Sequence, residues 1–435
     1  MPILRKILNI LKRQLQQIQK GGWSEIKRKL KLVFMLIIKL PVVLVMLVPA
    51  LSVLLVARII RPVFLIRFNR LVSWRIGHFA GNTELYLCEL DAGINKPEIP
   101  FIDIWYYPTA SCNRQLATMW NRVLHIGPTF LLRLVDRINA MIPGGGPHQI
   151  GDNTKADRDM FNLLERFPLH LNFLPDEEKK GKAGLRAMGI PDGASFVCLA
   201  VRDDAYLNDQ SPHLDWSRHK HRDSNIQDFV LAAEELTERG YYVLRMGVLV
   251  NEALNVDNPM IIDYATNGMR SDFMDIYLGA NCTFCVSTSL GFDAISTIFR
   301  RPVVYVDVSP LGVIRTNNSN YISTAKKYWL RNEKRLMSFQ ESFDTGAALF
   351  WLSDEFETMG IELIASTPEE IKSVVLEMEE RLSGKWKQLE EDERLQQRFW
   401  ELFPMNEYNG EDSEINSRIG TDYLRRHEEW VISSR

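Results

Sequence analysis

The chain is predicted to be an α/β protein with a doubly wound parallel sheet, carried on an N-terminal region that attaches to a membrane. Two observations predict this. From Ala194 to Asp307 short apolar runs alternate with segments of helical periodicity, the pattern of strands buried on both faces and joined by helices. Val33 to Ala57 is an apolar run of twenty-five residues with one charge, Lys39, a length that reaches across a hydrocarbon core.

The elements follow in order. Leu4, Ile7, Leu8, Leu11, Leu15 and Ile18 recur at helical spacing with Arg5, Lys6, Lys12 and Arg13 between them, and Trp23 follows, so a basic amphipathic helix lying on anionic lipid is expected. The apolar run after it is basic on both sides, with Lys27, Arg28, Lys29 and Lys31 before it and Arg58, Arg61, Arg67, Arg70 and Arg75 after it. Lysine and arginine collect on the cytoplasmic side, so a segment basic at both ends is better satisfied by dipping in and returning than by crossing. Pro41 and Pro49 supply the bend. A re-entrant or monotopic anchor is therefore expected, with a single span and then a buried core helix as the alternatives; the run is too long and too far from the N-terminus for a cleaved signal peptide.

Downstream, strands are expected at Leu85–Leu90 and Ile102–Tyr106, a βα turn at Ile76–Asn82, one long helix over Arg114–Ile142 and a hinge at Pro175–Gly193. The main sheet should take Ser195–Val201, Tyr241–Met246, Met260–Tyr264, Thr283–Ser287 and Pro302–Asp307 as strands, with helices at Ile226–Arg239, Ser271–Ala280 and Gly291–Arg300. Thr367-Pro368-Glu369-Glu370 reads as a helix start, with threonine as N-cap, proline at the first position and Glu370 closing a capping box. A second late helix should cover Leu389–Phe403. These patterns divide the chain into an anchor (1–70), an N-terminal α/β domain (71–182), a C-terminal Rossmann-like domain (183–365) and closing helices (366–435).

Charge and cysteine content bound the function. Through Arg75 the chain holds fifteen Lys and Arg against one acid, a net of +14 that leaves −17 for the remainder of a chain whose total is −3. A basic head on an acidic body points to a membrane surface and argues against nucleic acid as partner. Cys88, Cys112, Cys198, Cys282 and Cys285 are odd in number and sit mostly in apolar runs, as reduced cytoplasmic thiols do. Cys282 and Cys285 form one CxxC with no second pair, which reads as strand cysteines rather than a zinc or redox centre.

In open parallel sheets ligands bind beyond the carboxyl ends of the strands. The candidate donor site is accordingly Arg202 and Tyr206 after the first strand, Arg245 and Gly247 after the second, and Ser287, Thr288, Ser289 and Gly291 after the fourth. Two arginines facing a hydroxyl-rich helix start would clamp a diphosphate. Taken singly, each of these residues also has a structural reading: Arg202 and Arg245 as partners of Asp203, Asp272 or Asp275, and the hydroxyls as N-caps. His213, His219 and His221 fit no closed metal site and are expected on a donor-side loop. Gly144–Gly146 lacks the ending of a phosphate loop.

The segments VRDDAYL, HRDSNIQDF, GYYVLRMG, RSDFMDIYLGANCTFCVSTSLGFDAIS and RRPVVYVD, with RIGHFAGNTELYL before them and STPEEI after, resemble a group of bacterial surface-polysaccharide glycosyltransferases. There is a more distant similarity to fucosyltransferases, whose strand-end arginine, aspartate and serine-rich turn match Arg202, Asp272, Ser287 and Ser289; Ala200 stands where that family carries histidine, which counts against GDP-fucose. The resemblance implies two Rossmann-like lobes of GT-B type, the donor on the C-terminal sheet, the acceptor on the N-terminal lobe, and no metal or cofactor beyond the nucleotide sugar. It also implies a lipid-linked or glycan acceptor, partners in polysaccharide assembly and a place on the cytoplasmic face of the bacterial inner membrane. An inverting reaction needs a base, for which His78 is the first candidate and Glu84 and Asp91 the alternatives. The rival readings are a nucleotide-sugar epimerase on the same fold and a non-catalytic scaffold of an assembly complex.

Overall fold

The structure is a computed structural model describing residues 22–23, 25–27, 29–31, 34, 41, 44–151, 158–210, 212, 214–410 and 414–432. The amphipathic pattern Leu4–Ile18, most of the apolar run before residue 44, and His213 lie outside these residues. Among the described residues no helix is long and apolar enough to cross a membrane. The chain packs as two units.

The first unit comprises Met1–Arg70, Pro97–Tyr106 and His125–Gly151. Residues 44–60 are helical and precede a small parallel sheet of β1 (Leu65–Arg70), β2 (Phe101–Tyr106) and β3 (His125–Ile126), in that order. The helix contributes Ala50, Leu54 and Ala57, at spacings of four and three that make one stripe, to a core with Phe68, Tyr106, Leu132 and Val135. Arg67 and Asp103 are register partners on β1 and β2, and their buried side chains form a two-pronged ion pair at 2.6 Å.

The second unit comprises Leu71–Lys96, Tyr107–Leu124 and Asp152–Arg435. Its main sheet holds β4 (Phe196–Ala200), β5 (Tyr242–Arg245), β6 (Ile261–Ile262), β7 (Phe284–Ser287), β8 (Val303–Val308) and β9 (Tyr321–Ala325). An antiparallel sheet of β10 (Lys327–Leu330), β11 (Arg335–Leu336) and β12 (Ile361–Ile364) follows, and β13 (Arg418–Ile419) closes the edge of the main sheet. The main order is β13-β9-β8-β7-β4-β5-β6, all neighbours parallel. Alternate strand residues serve opposite faces: Val197, Leu199, Val286 and Val304 pack with the helices Val230–Glu238 and Pro368–Leu382, while Cys198, Cys285 and Tyr305 pack with the helix Asp272–Asn281. The chain runs outward from β4 through β5 to β6, then returns to the other side of β4 as β7. This reversal fixes the sheet's switch point between the carboxyl ends of β4 and β7.

The strands and helices expected between Ser195 and Asp307 are present, and Thr367 caps its helix with Glu370 closing the box. Three expectations are corrected. Leu85–Leu90 is no strand and Ile76–Asn82 no turn: both lie in the helix Ile76–Asp91, whose residues Phe79 through Cys88 are all buried, and a helix buried all round shows the same unbroken apolar run as a strand. Arg114–Ile142 is two helices, Arg114–Trp120 and Thr129–Met141, separated by β3 and by Gly127-Pro128. Pro175–Gly193 is no hinge but largely the helix Pro175–Ala187; a Cβ on Gly181 or Gly184 would lie 2.2 Å from Tyr277 or 2.5 Å from Met274, so these glycines let two helices touch.

Candidate functional site

At the switch point β4 and β7 are locked to each other by their outgoing backbones. Thr288 N–H donates to Ala200 O at 3.1 Å, and Arg202 N–H donates to Thr288 Oγ1 at 2.8 Å. Ser287 Oγ donates to Asp293 Oδ2 at 2.7 Å and accepts the Ser289 N–H at 3.1 Å, while Leu290 N–H donates to the same Asp293 oxygen at 2.9 Å. The hydroxyls of Ser287 and Thr288 are thus buried and occupied in building the turn; they do not form the phosphate-facing row expected from sequence. The following helix, Asp293–Ile298, begins at Asp293 rather than Gly291 and has six residues. Ser289 stands at φ +58°, a strained backbone for a serine, and its carbonyl accepts Arg222 Nη2 at 3.0 Å.

Around this turn the fold gathers basic side chains. Arg202 Nε donates to Asp223 Oδ1 at 3.0 Å, and Lys326, buried just past β9, donates to the Asp223 carbonyl at 2.6 Å. Arg222, His219 and His221 come from the 3-10 segment Ser217–Arg222. These groups feel one another. Burial, then Arg202 and Arg158, bring Arg222 down to about 10; burial, then Arg222, His219, Lys326 and Arg202, bring His221 down to about 3; burial, then Arg202 and Arg222, lower His219. Burial also lowers Lys326, against the attraction of Asp307 and Asp223. Asp307, at φ +56° near the end of β8, accepts both the N–H and the Oγ–H of Ser366 at 2.8 Å. The arrangement can hold a compact polyanion between two guanidinium groups and an ammonium.

The other predicted donor residues fall elsewhere. Arg245 is 1% exposed; its Nη1 donates to Asp263 Oδ1 at 3.1 Å and its Nη2 to Glu252 O at 3.2 Å, so it is a core ion pair and not the second half of a clamp. Gly247 abuts Val250, 2.6 Å from where a Cβ would stand. Asp272 accepts the Arg114 N–H at 2.9 Å and its own carbonyl accepts Asn113 Nδ2 at 2.9 Å, a helix-to-helix tie. Tyr206 is half-buried in the short helix Ala205–Gln210; burial and then Cys112 raise its phenol. The structural alternative paired Arg202 and Arg245 with Asp203, Asp272 or Asp275; Asp223 holds Arg202 instead. Arg222, Asp223, Lys326 and Asp293 were missed; the basic run His219-Lys220-His221-Arg222 directly after the β4 loop was the signal.

His78 stands in the first turn of Ile76–Asp91 with Nδ1 3.4 Å from Asn82 Oδ1. Beside it Gly77 meets Gly291 so closely that a Cβ on Gly77 would lie 3.0 Å from Gly291 Cα, so this helix start adjoins the β7 turn within the second unit. Glu84 and Asp91 are tied differently. Glu84 is fully buried, 2.7 Å from Arg300 Nη2 and 3.2 Å from His170 Nδ1, and His170 Nε2 lies 3.1 Å from Asp91. Glu84, Cys88 and His170 have ligand atoms within 4.8 Å of one another, but Arg300 already supplies the cation there, and burial followed by Glu84 pushes the Cys88 thiol up to about 12. All five cysteines are free, and Cys282 and Cys285 are buried, Cys282 at the helix end and Cys285 in β7.

No protein-family model and no curated protein matches the chain. Solved structures overlap it in part, among them the following two. The Escherichia coli ADP-heptose LPS heptosyltransferase II matches with 14% identity and a TM-score of 0.34 over 56% of this chain and 86% of that one. A glycosyl transferase family 9 protein from Veillonella parvula DSM 2008 matches with 10% identity and a TM-score of 0.40 over 74% of this chain and 97% of that one. At these scores neither likeness bears on what this chain does.

Proposed function

We propose that the chain is a membrane-associated glycosyltransferase of GT-B type, moving a sugar from a nucleotide-sugar donor to a lipid-linked or growing cell-surface glycan at the cytoplasmic face of the bacterial inner membrane. The observation that carries this reading is the cluster of three cations, Arg202, Arg222 and Lys326, with the rings of His219 and His221 among them, at the switch point of a parallel sheet. Bringing these groups together costs free energy through mutual repulsion, and a diphosphate offsets that cost with charge and with acceptor oxygens. The same groups then stabilise the nucleoside diphosphate as it leaves the anomeric carbon, while His78 takes the proton of the attacking hydroxyl. In this scheme the positive charge at the leaving group comes from side chains, and neither a metal nor a cofactor besides the donor is used.

The test is a thermal-shift screen of the full chain in lipid nanodiscs, with EDTA, against ADP, UDP, GDP and CDP and their common sugar esters. Ligand at about 100 times its dissociation constant adds about 2.7 kcal/mol of stability, an easily read shift. Stabilisation by at least one of these, absent with the nucleosides, is expected. No shift with any of them defeats the reading.

Membrane association rests on the first unit. The face of helix 44–60 that does not pack on the core presents Leu44, Val48, Leu51, Leu55 and Ile59, all exposed; Arg58 lies in the last turn of the helix and Arg61 directly after it. An apolar outer face with basic residues beside it suits the headgroup boundary of an anionic leaflet. The full chain is expected to float with phosphatidylglycerol-containing vesicles and not with phosphatidylcholine alone, and Val48→Glu with Leu55→Glu should lower the floated fraction several-fold at unchanged far-UV circular dichroism. Equal flotation of the double variant would move attachment away from this helix.

A further inference from the structure

We infer that His221 binds the donor as an imidazolium, so that diphosphate binding draws one proton from solvent onto its Nε2. This rests on the reading of the switch-point cluster as the donor site. The geometry fixes the tautomer. Ser353 Oγ donates its hydrogen to Ser217 O at 3.3 Å, leaving its lone pairs for His221, whose backbone N–H and ring Nδ1 lie 3.3 and 3.2 Å away. Nδ1 therefore carries the proton of the neutral ring and Nε2 carries a lone pair. That Nε2 is shut from solvent and has no hydrogen-bond partner among the described residues.

The surroundings explain why the ring is neutral without a ligand and why an anion reverses this. His219 and Arg222 flank it on its own segment, Arg202 reaches it from the end of β4 and Lys326 from the end of β9. The helix Ser353–Thr358 supplies Ser353 and the ring of Phe356, 5.3 Å from the imidazole, while Asp354 on that helix pairs with Arg218 at 3.7 Å. The nearby acids are engaged: Asp223 with Arg202, and Asp307 with Ser366. Burial and this ring of cations hold the imidazole at about 3, so it is uncharged at neutral pH. A diphosphate among the same cations cancels their field and gives Nε2–H an acceptor; both changes favour the charged ring. Since the bound state holds more protons than the free state, affinity must rise as pH falls. The protonated ring then also opposes the charge that develops on the leaving diphosphate.

Isothermal titration calorimetry with UDP-glucose, ADP-glucose and GDP-mannose tests this, because their pyrophosphate diesters do not themselves titrate near neutrality. Repeating the titration near pH 7.5 in buffers of different ionisation enthalpy gives the protons taken up, expected to be about one, with affinity rising by up to tenfold per unit between about pH 8 and pH 6. His221→Gln should remove most of the uptake and flatten the pH profile. On the unsubstituted chain labelled with ¹³C-histidine, the His221 Cε1–H resonance should move to its imidazolium position when the nucleotide sugar is added, which keeps the test independent of how the variant folds. Tight binding with no buffer-dependent heat, or uptake unchanged in His221→Gln, overturns the inference and leaves the donor site standing. Binding of none of the three probes overturns the donor site itself.

Discussion

Replacing Arg245 by alanine is expected to destabilise the second unit by about 3–5 kcal/mol, the cost of leaving a buried charge without its partner, and to leave the nucleotide affinity of the folded protein unchanged. Arg245 is 1% exposed at the end of β5, and the Asp263 carboxylate it neutralises also accepts the Leu254 N–H at 2.9 Å, so the remaining aspartate would be held in place with its charge uncompensated. Urea unfolding of Arg245→Ala, Asp263→Asn and the double variant should show strong coupling, the double costing less than the sum of the singles. Arg222→Ala should behave in the opposite way. Arg222 sits among Arg202, Arg158 and the histidines, so removing it relieves repulsion and the unfolding midpoint should stay level or rise. Its nucleotide affinity should fall about 10- to 100-fold, the scale of one or two lost charged hydrogen bonds. A stable Arg245→Ala chain that binds nucleotide tenfold more weakly would return Arg245 to the clamp.

That contrast shows where sequence reading reaches and where it stops. The strands β4, β5, β7 and β8 were legible because a strand buried on both faces is an uninterrupted apolar run, and the Thr367–Glu370 capping box because its partners are three residues apart. The location of the candidate site followed from the sheet's connectivity. The direction of each strand-end side chain did not, because it depends on partners remote in sequence: Asp263 lies eighteen positions beyond Arg245, and Asp223 twenty-one beyond Arg202. The Ser287–Ser289 hydroxyls looked like ligands because the sequence does not say that Asp293 curls back to take Ser287. Arg222 lay in an irregular 3-10 segment with no periodicity to mark its facing. The helix Ile76–Asp91 was misread for a different reason: its burial on all sides erased the 3.6-residue rhythm, and the ion pair that permits Glu84 in its middle comes from Arg300, more than two hundred residues away.

The same helix sets the second large effect. His78→Ala is expected to lower transfer by roughly 100-fold or more while binding donor almost normally, the signature of a lost general base. Of the three candidate bases, His78 is the one beside the switch-point turn, held there by the contact of Gly77 with Gly291. Glu84 is sealed from solvent in its pair with Arg300, so Glu84→Gln should show its effect in stability; Asp91 is tied to His170 at 3.1 Å. The Gly77 contact gives an independent lever. A methyl group at Gly77 would press on Gly291 from 3.0 Å, so Gly77→Ala should displace the histidine's helix turn and lower transfer with less effect on donor affinity than Arg222→Ala. Donor dissociation constants and single-turnover rates, measured on the same His78→Ala preparation, separate the two roles. If affinity falls in step with rate, His78 is a ligand of the nucleotide and the base must be sought among other residues at the switch point.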